Sequence, residues 1–131
     1  MGLLPVAGGT QRLPRLTGLN MAIDMITSGR PLSARDAQAA GVVDEVTDDD
    51  LSQAALDFAG ELLRRGASKR LTRDISLHLN DDDTALLSGA RDTIAKRLKG
   101  QTAPQRILDC LSAAGTVPFE DGLKVERQAF E

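Results

Sequence analysis

With 131 residues, 41 % of them apolar and 27 % charged, the chain has the size and balance of one globular domain. A net charge of −3, with Arg and Lys spread along the chain, excludes an electrostatic footprint for nucleic acid, and no apolar run reaches the length of a membrane-crossing helix. Three Phe and no Trp or Tyr leave the core to Leu, Ile, Val, Ala and Met, which suits helix-on-helix packing better than a sheet.

The N-terminus, Met1-Gly2-Leu3-Leu4-Pro5, lacks the basic region and long apolar stretch of a signal peptide. Gly2 invites a myristoylation reading, but Val6-Ala7 stands where that pattern wants Ser or Thr. Residues 2–9, punctuated by Gly and Pro, are expected as a loop or short extended piece. Gly8-Gly9-Thr10 opens a helix with Thr10 as its cap, and Pro14 is accommodated in the first turns. After the break at Thr17-Gly18, Asn20 is the expected cap of a second helix, Met21 to Ser28, whose buried stripe holds Leu19, Ala22, Ile23 and Ile26. Gly29 stops it.

Ser33 with Asp36 forms a capping-box pattern for a short helix over residues 34–40, which Gly41 ends. The β-branched run Val42 to Val46 is the best strand candidate. A strong amphipathic helix follows Asp48 to Asp50, with Leu51, Ala54, Ala55, Phe58, Ala59, Leu62 and Leu63 at helical spacing and Gly66 as the stop. Residues 67–84 are ambiguous: Ile75, Leu77 and Leu79 alternate with Ser76 and His78, which fits a short strand or a loop. Asp81 to Asp83 begins a helix running to Lys99, Pro104 opens another with Ile107, Leu108, Leu111 and Ala114 on its apolar face, and Pro118 begins a last one. The expected architecture is mostly α with one or two short strands.

Few residues carry obvious chemistry. Pro5-Val6-Ala7-Gly8-Gly9-Thr10 resembles an anion cradle at a helix N-terminus, though neither a Walker A continuation nor G-x-G-x-x-G is present; a tight turn that lets two elements pack closely is the favoured alternative. The two triple-Asp runs lack the ligand alternation, turn Gly and distal Glu of a calcium loop, and both precede helices, where acids complement the dipole. His78 is the single histidine, too few for an ordinary zinc site, and no G-x-S-x-G elbow accompanies it, so a structural role is expected. Cys110, the single cysteine, allows no intrachain disulfide; it falls in a helical apolar pattern and is read as a buried thiol rather than a reactive one. A reducing compartment, the cytoplasm, is expected, with no metal site and no catalytic residue identified.

Read as a whole, Gly2-Leu3-Leu4-Pro5-Val6-Ala7-Gly8-Gly9-Thr10-Gln11-Arg12-Leu13-Pro14-Arg15-Leu16-Thr17-Gly18 closely resembles the segment G-L-L-P-G-A-G-G-T-Q-R-L-P-R-L-x-G of the crotonase (enoyl-CoA hydratase/isomerase) family. Ile26-Thr27-Ser28-Gly29-Arg30 resembles its "L-T-G-R" turn, and Ser33 to Ala37 followed by Gly41 to Asp44 resembles its "S-A-x-E-A…G-L-V-D" stretch. Farther on, Gln101 to Gln105, Cys110 and Pro118 to Phe130 resemble the segment that joins hydratase to 3-hydroxyacyl-CoA dehydrogenase in multifunctional β-oxidation enzymes.

The resemblance implies the C-terminal portion of a crotonase-like α/β spiral domain. Residues 1–66 would belong to the crotonase-like core and 67–131 to a helical connection. It also implies a parent reaction, addition of water to a trans-2-enoyl-CoA, or double-bond movement in the isomerase variant. Two glutamates would handle the water and the α-carbon proton, and two backbone N–H groups would hold the thioester oxygen, with no metal. In the family those groups lie upstream of the Gly2 position, so the chain alone is expected to be an inactive fragment. The family usually has Gly where Val6 stands, with its amide helping to hold the catalytic water; Pro5 and Val6 are therefore the expected substrate-binding residues. Val6 would crowd that site and is restricted in φ. Cofactors are expected to be none in this chain: acyl-CoA is the parent's substrate, and NAD belongs to a dehydrogenase domain outside it. Expected partners are acyl-CoA if another chain completes the site, and self-association or packing with the N-terminal half. A non-catalytic helical assembly module is the alternative.

Overall fold

A computed structural model describes residues 4–98 and 100–131; the expected helix end at Lys99 and the reading of Gly2 lie outside the described residues. The helices are α1 (Gly9–Thr17), α2 (Leu19–Ser28), α3 (Ala34–Ala39), α4 (Leu51–Arg64), α5 (Asp81–Arg97), α6 (Ala103–Thr116) and α7 (Phe119–Phe130), with one 3₁₀ turn, Thr72–Asp74. The mostly-α class is as expected.

The centre is α6. Its apolar spacing continues round the helix, and Ile107, Leu108, Cys110, Leu111, Ala113 and Ala114 are all buried. Helices α1, α2, α5 and α7 pack against it. Leu19, Ala22 and Ile23 of α2 and Leu87 and Ile94 of α5 complete the core, and Leu4 enters it from the N-terminal side. Removal of this apolar surface from water is the main force holding the bundle together.

Short-range signals set several boundaries. Ser33 accepts the Asp36 amide at the start of α3, Asp50 accepts the Gln53 amide at α4, and Asn80 forms a reciprocal capping box with Asp83 at α5. Gly29 closes α2 in the left-handed region. Two expected caps do not form. Helix α1 begins at Gly9 and α2 at Leu19, each after a glycine with no side-chain cap, because Thr10 and Asn20 already lie inside the helical turns. Pro14 also lies deeper in α1 than its first turn; it is fully buried, and packing offsets the backbone hydrogen bond it cannot make.

No strand occurs among the described residues. Val42 and Val43 donate their amides to the Ala37 carbonyl at 2.8 and 3.4 Å, so this β-branched run closes the end of α3 instead of pairing with a neighbour. Residues 75–79 follow the 3₁₀ turn with alternating exposure but without regular secondary structure. A period of two is thus real there without a sheet.

Helix α4 has no buried residue. Residues Val42, Val43, Leu51, Ala54, Ala55 and Phe58 surround a shallow cavity of about 360 Å³. Leu51 and Leu63 are 74 % and 81 % exposed.

Helices α1 and α7 approach closely. A Cβ on Gly122 would overlap the Gln11 side-chain oxygen, and Gln11 is fully buried, with its amide nitrogen donating to the Cys110 carbonyl at 2.9 Å. Gly122→Ala is expected to cost about 1–3 kcal/mol, as overpacking does in a filled core. Urea denaturation measures it, and a variant as stable as the parent would show that α7 does not seat on Gln11.

Candidate functional site

The segment that carried the strongest pattern, residues 5–10, forms a tight turn leading into α1. The Gly9 amide donates to the Val6 carbonyl at 3.3 Å, and the two residues between, Ala7 and Gly8, have φ of 61° and 85°. Positive φ at both central positions is the mark of a type I′ turn. Gly8 takes this conformation at little cost, whereas Ala7 is the one non-glycine residue in the left-handed region among those described.

The first amides of α1 have no partner within the helix. The Gly9 and Gln11 amides turn back to the Val6 and Gly8 carbonyls, and the Thr10 amide, with that of the preceding Gly8, is taken by a carboxylate from the far end of the chain. Glu126 of α7, only 3 % exposed, accepts the Gly8 amide at 2.6 Å through Oε1. Its Oε2 accepts the Thr10 amide at 2.9 Å and the Thr10 hydroxyl at 2.5 Å. Charge-assisted bonds at a helix N-terminus are the favourable setting for a buried anion. Both expectations for the glycine loop are therefore partly met: it is a tight turn, and it does hold an anion, but that anion is the chain's own side chain. Thr10 contributes as a donor to Glu126, with its hydroxyl also accepting from Gln11 Nε2 at 3.1 Å.

Val6 is the first residue of this turn and Pro5 precedes it. Pro5 is half-buried, close to where a Cβ on Gly9 would stand, and Val6 is 50 % exposed. Val6 does not require positive φ, so the restriction expected of its side chain causes no strain there.

Behind the turn, Phe119 is buried beneath three guanidinium groups: Arg12 and Arg15 each at 5.1 Å from its ring centroid and Arg73 at 5.8 Å. Arg15 donates to the carbonyls of Gln11 and Ala114, at 2.5 and 2.9 Å, tying α1 to the last turn of α6. Burial lowers its pKa from the ordinary arginine value. Arg73 pairs with Glu120 at 3.0 Å. Arg12 and Arg15 thus fasten the first turn of α7 to α1, and Arg73 fastens it to the 3₁₀ turn.

Cys110 is fully buried on α6. Desolvation first, then the negative charges of Glu126 and Asp109, push its thiol up to about 11. Among the described residues no group of three His, Cys, Asp or Glu side chains could hold a metal ion, and no helix is long and apolar enough to cross a membrane. His78 is exposed beside a small polar cavity, and Asp81 to Asp83 form the first turn of α5. A larger cleft, about 890 Å³, runs between α2 and α5 over Ile23, Ala90 and Ile94, with the exposed pair Asp24–Arg30 at its rim. None of these regions includes Pro5 or Val6.

Sequence reasoning missed Glu126. It sits 116 positions from Thr10, with no local pattern that separates it from other helix acids.

A model of the family described as enoyl-CoA hydratase/isomerase matches residues 1–103. Over 126 residues the chain is 36 % identical to a peroxisomal bifunctional enzyme of Danio rerio, covering 96 % of this chain and 17 % of the relative. The Homo sapiens protein of the same name is 33 % identical over 99 % of the chain and 18 % of its own length. A fatty acid oxidation complex subunit alpha from Shewanella baltica is 32 % identical over 99 % of the chain and 19 % of its own length. The chain thus spans less than a fifth of the curated relatives it matches.

Two outcomes follow from the geometry of the turn and the core. Ala7→Gly should release the left-handed strain; after the entropy glycine adds to the unfolded chain, a net gain of up to about 1 kcal/mol is expected. A lower urea midpoint than the parent's would contradict the strained turn. Cys110 should be inert to a thiol reagent at mildly alkaline pH until the protein is denatured. Stoichiometric labelling of the folded chain, at the rate of a free thiol, would contradict its burial.

Proposed function

The chain belongs to the enoyl-CoA hydratase/isomerase family, and from that premise we propose that it is the C-terminal part of the hydratase domain of a fatty-acid β-oxidation enzyme. The parent would hydrate trans-2-enoyl-CoA and be fused to a 3-hydroxyacyl-CoA dehydrogenase. The observation that supports this reading is the turn into α1, whose residues match the family segment; on this reading Pro5 and the half-exposed Val6 would form one wall of the completed site. Similarity to bifunctional enzymes and oxidation-complex subunits along nearly the whole chain supports the fused parent. On this reading residues 1–66 supply the C-terminal part of the crotonase-like core and 67–131 the helical connection toward the dehydrogenase. Acyl-CoA is the ligand of the completed site, and NAD would serve only the dehydrogenase. The cytoplasm is the compartment we propose for the chain; the word peroxisomal in several relatives' names makes the peroxisome the alternative.

The 131 residues are inactive by themselves on this proposal. Glu126, the acid nearest the turn in the contacts described, has both oxygens occupied by three donors and is buried, so it is no free general base. Loss of a general acid or base costs about 10²–10⁴-fold in rate, and loss of oxyanion donors a comparable factor.

One observation favours a second reading, a helical assembly module: α4 keeps an amphipathic pattern while its leucines stay exposed. Light scattering addresses it directly, because a clean monomer at high concentration counts against assembly through this face.

Hydration of crotonyl-CoA, followed by loss of enoyl absorbance, tests the main proposal. The pure chain should show no rate above a heat-treated control. Mixing it with a polypeptide carrying the upstream hydratase segment and its glutamate pair should restore hydration. A rate from the chain alone would overturn the inactivity, and no rate from a stable mixture would count against Pro5 and Val6 as part of the site.

A further inference from the structure

We propose that Glu126 is a positioning residue: from α7, it holds the Val6–Gly9 turn in its strained form and so sets the wall on which Pro5 and Val6 stand. What that wall touches rests on the hydratase reading; the clamp itself rests on geometry.

Three observations converge. The turn takes a conformation that Ala7 does not favour, with φ of 61°, and a strained backbone persists only where its surroundings over-determine it. The Gly8 amide, at the second central position of the turn, donates to Glu126 Oε1, while Thr10 engages Oε2 twice. One carboxylate therefore bridges the turn and the first residues of α1. Finally, Glu126 has no Lys or Arg within salt-bridge distance among the described residues, so these donors are what compensate its buried charge. If the turn relaxed and withdrew its amide, that charge would lose much of its compensation.

The helix that carries the clamp is itself fixed. Gly122 seats on Gln11, Phe119 lies under three guanidinium groups, and Arg106 of α6 donates to the Gln128 and Ala129 carbonyls at 3.4 and 3.0 Å. A displacement of α7 would thus be transmitted to the turn through Glu126. The helix resembling a hydratase-to-dehydrogenase connection would then set the shape of the hydratase wall. The same contacts leave α1 no vacant N-terminal anion site.

Amide hydrogen exchange by NMR on the full 131-residue chain separates local positioning from general support of the fold. Glu126→Gln keeps the side-chain shape but removes the charge and one acceptor. The Gly8 and Thr10 amides should exchange about tenfold faster or more, relative to Leu108 and Leu111 in α6. Thr10→Val, which deletes only the hydroxyl, should give a smaller rise at the same two amides, and Thr10→Ser should restore protection. An equal rise in the turn and in α6, or no rise in the turn, would overturn the proposal. Should Glu126→Gln fail to fold, the Thr10 pair decides by the same criterion: a rise confined to the turn and reversed by Ser supports the clamp, and a spread or absent rise overturns it. No acyl-CoA enters this experiment. A chain that passes it but fails the mixing experiment loses only the hydratase reading, and the reverse result removes only the clamp.

Discussion

A buried carboxylate must be compensated, and in this chain that requirement ties the two ends together. Glu126 carries its charge into the interior without a salt-bridged cation among the described residues, relying on two amides and a hydroxyl at the start of α1. An uncompensated charge in such a place would cost several kcal/mol, more than most single contacts contribute. The requirement places α7 against α1 within hydrogen-bonding distance. That closeness explains why Gly8 and Gly122 stand where they do, since a Cβ at either would meet a side chain of α1. It also fixes Gln11, whose amide donates to the Cys110 carbonyl and joins the pair to the central helix. The raised thiol pKa of Cys110 belongs to the same arrangement: burial contributes most, and the Glu126 charge adds to it.

What was legible in the sequence was what depends on neighbours a few positions away. Ser33 with Asp36, Asp50 before Leu51, Asn80 with Asp83, and Gly29 after Ser28 act within one turn of helix, so their residue types and spacing suffice. Thr10 was misread because its hydroxyl had two possible uses: a local cap, or a donor to a partner 116 residues away. The partner prevailed once the helix started two residues earlier, at Gly9 instead of Gln11. The strand expectation failed for a related reason. Val42 to Val46 has the composition of a strand, but a strand needs a second one beside it, and the Ala37 carbonyl took the amides of Val42 and Val43 instead. Glu126 was illegible from the start, because one Glu among several on an amphipathic helix carries no mark of burial.

Helix α4 shows the opposite case, a strong pattern with little burial. Its leucines recur at helical spacing, yet Leu51 and Leu63 face outward. Periodicity states which face of a helix would gain from being covered; it does not state what covers it. In α6 the same kind of spacing is satisfied by four neighbouring helices. The two helices cannot be ranked from sequence, since both carry a wide apolar face, and only the placement of their neighbours separates a core helix from an exposed one.

The same separation applies to the site. The family match extends over residues 1–103, and its most distinctive residues cluster in the turn and α1. A turn of this kind can be required for chemistry without performing any, because a substrate wall needs a fixed backbone as much as it needs reactive groups. Ala7 in the left-handed region shows that the backbone here is held against its local preference. The groups that hold it, Glu126 and Thr10, are consumed in doing so: each donor or acceptor that secures the turn is unavailable to a substrate. The physical content of the match is therefore a shaped backbone whose turn amides and Thr10 hydroxyl are already bonded within the chain. Val6, half-exposed at the start of the turn, is not among the groups that this bonding consumes.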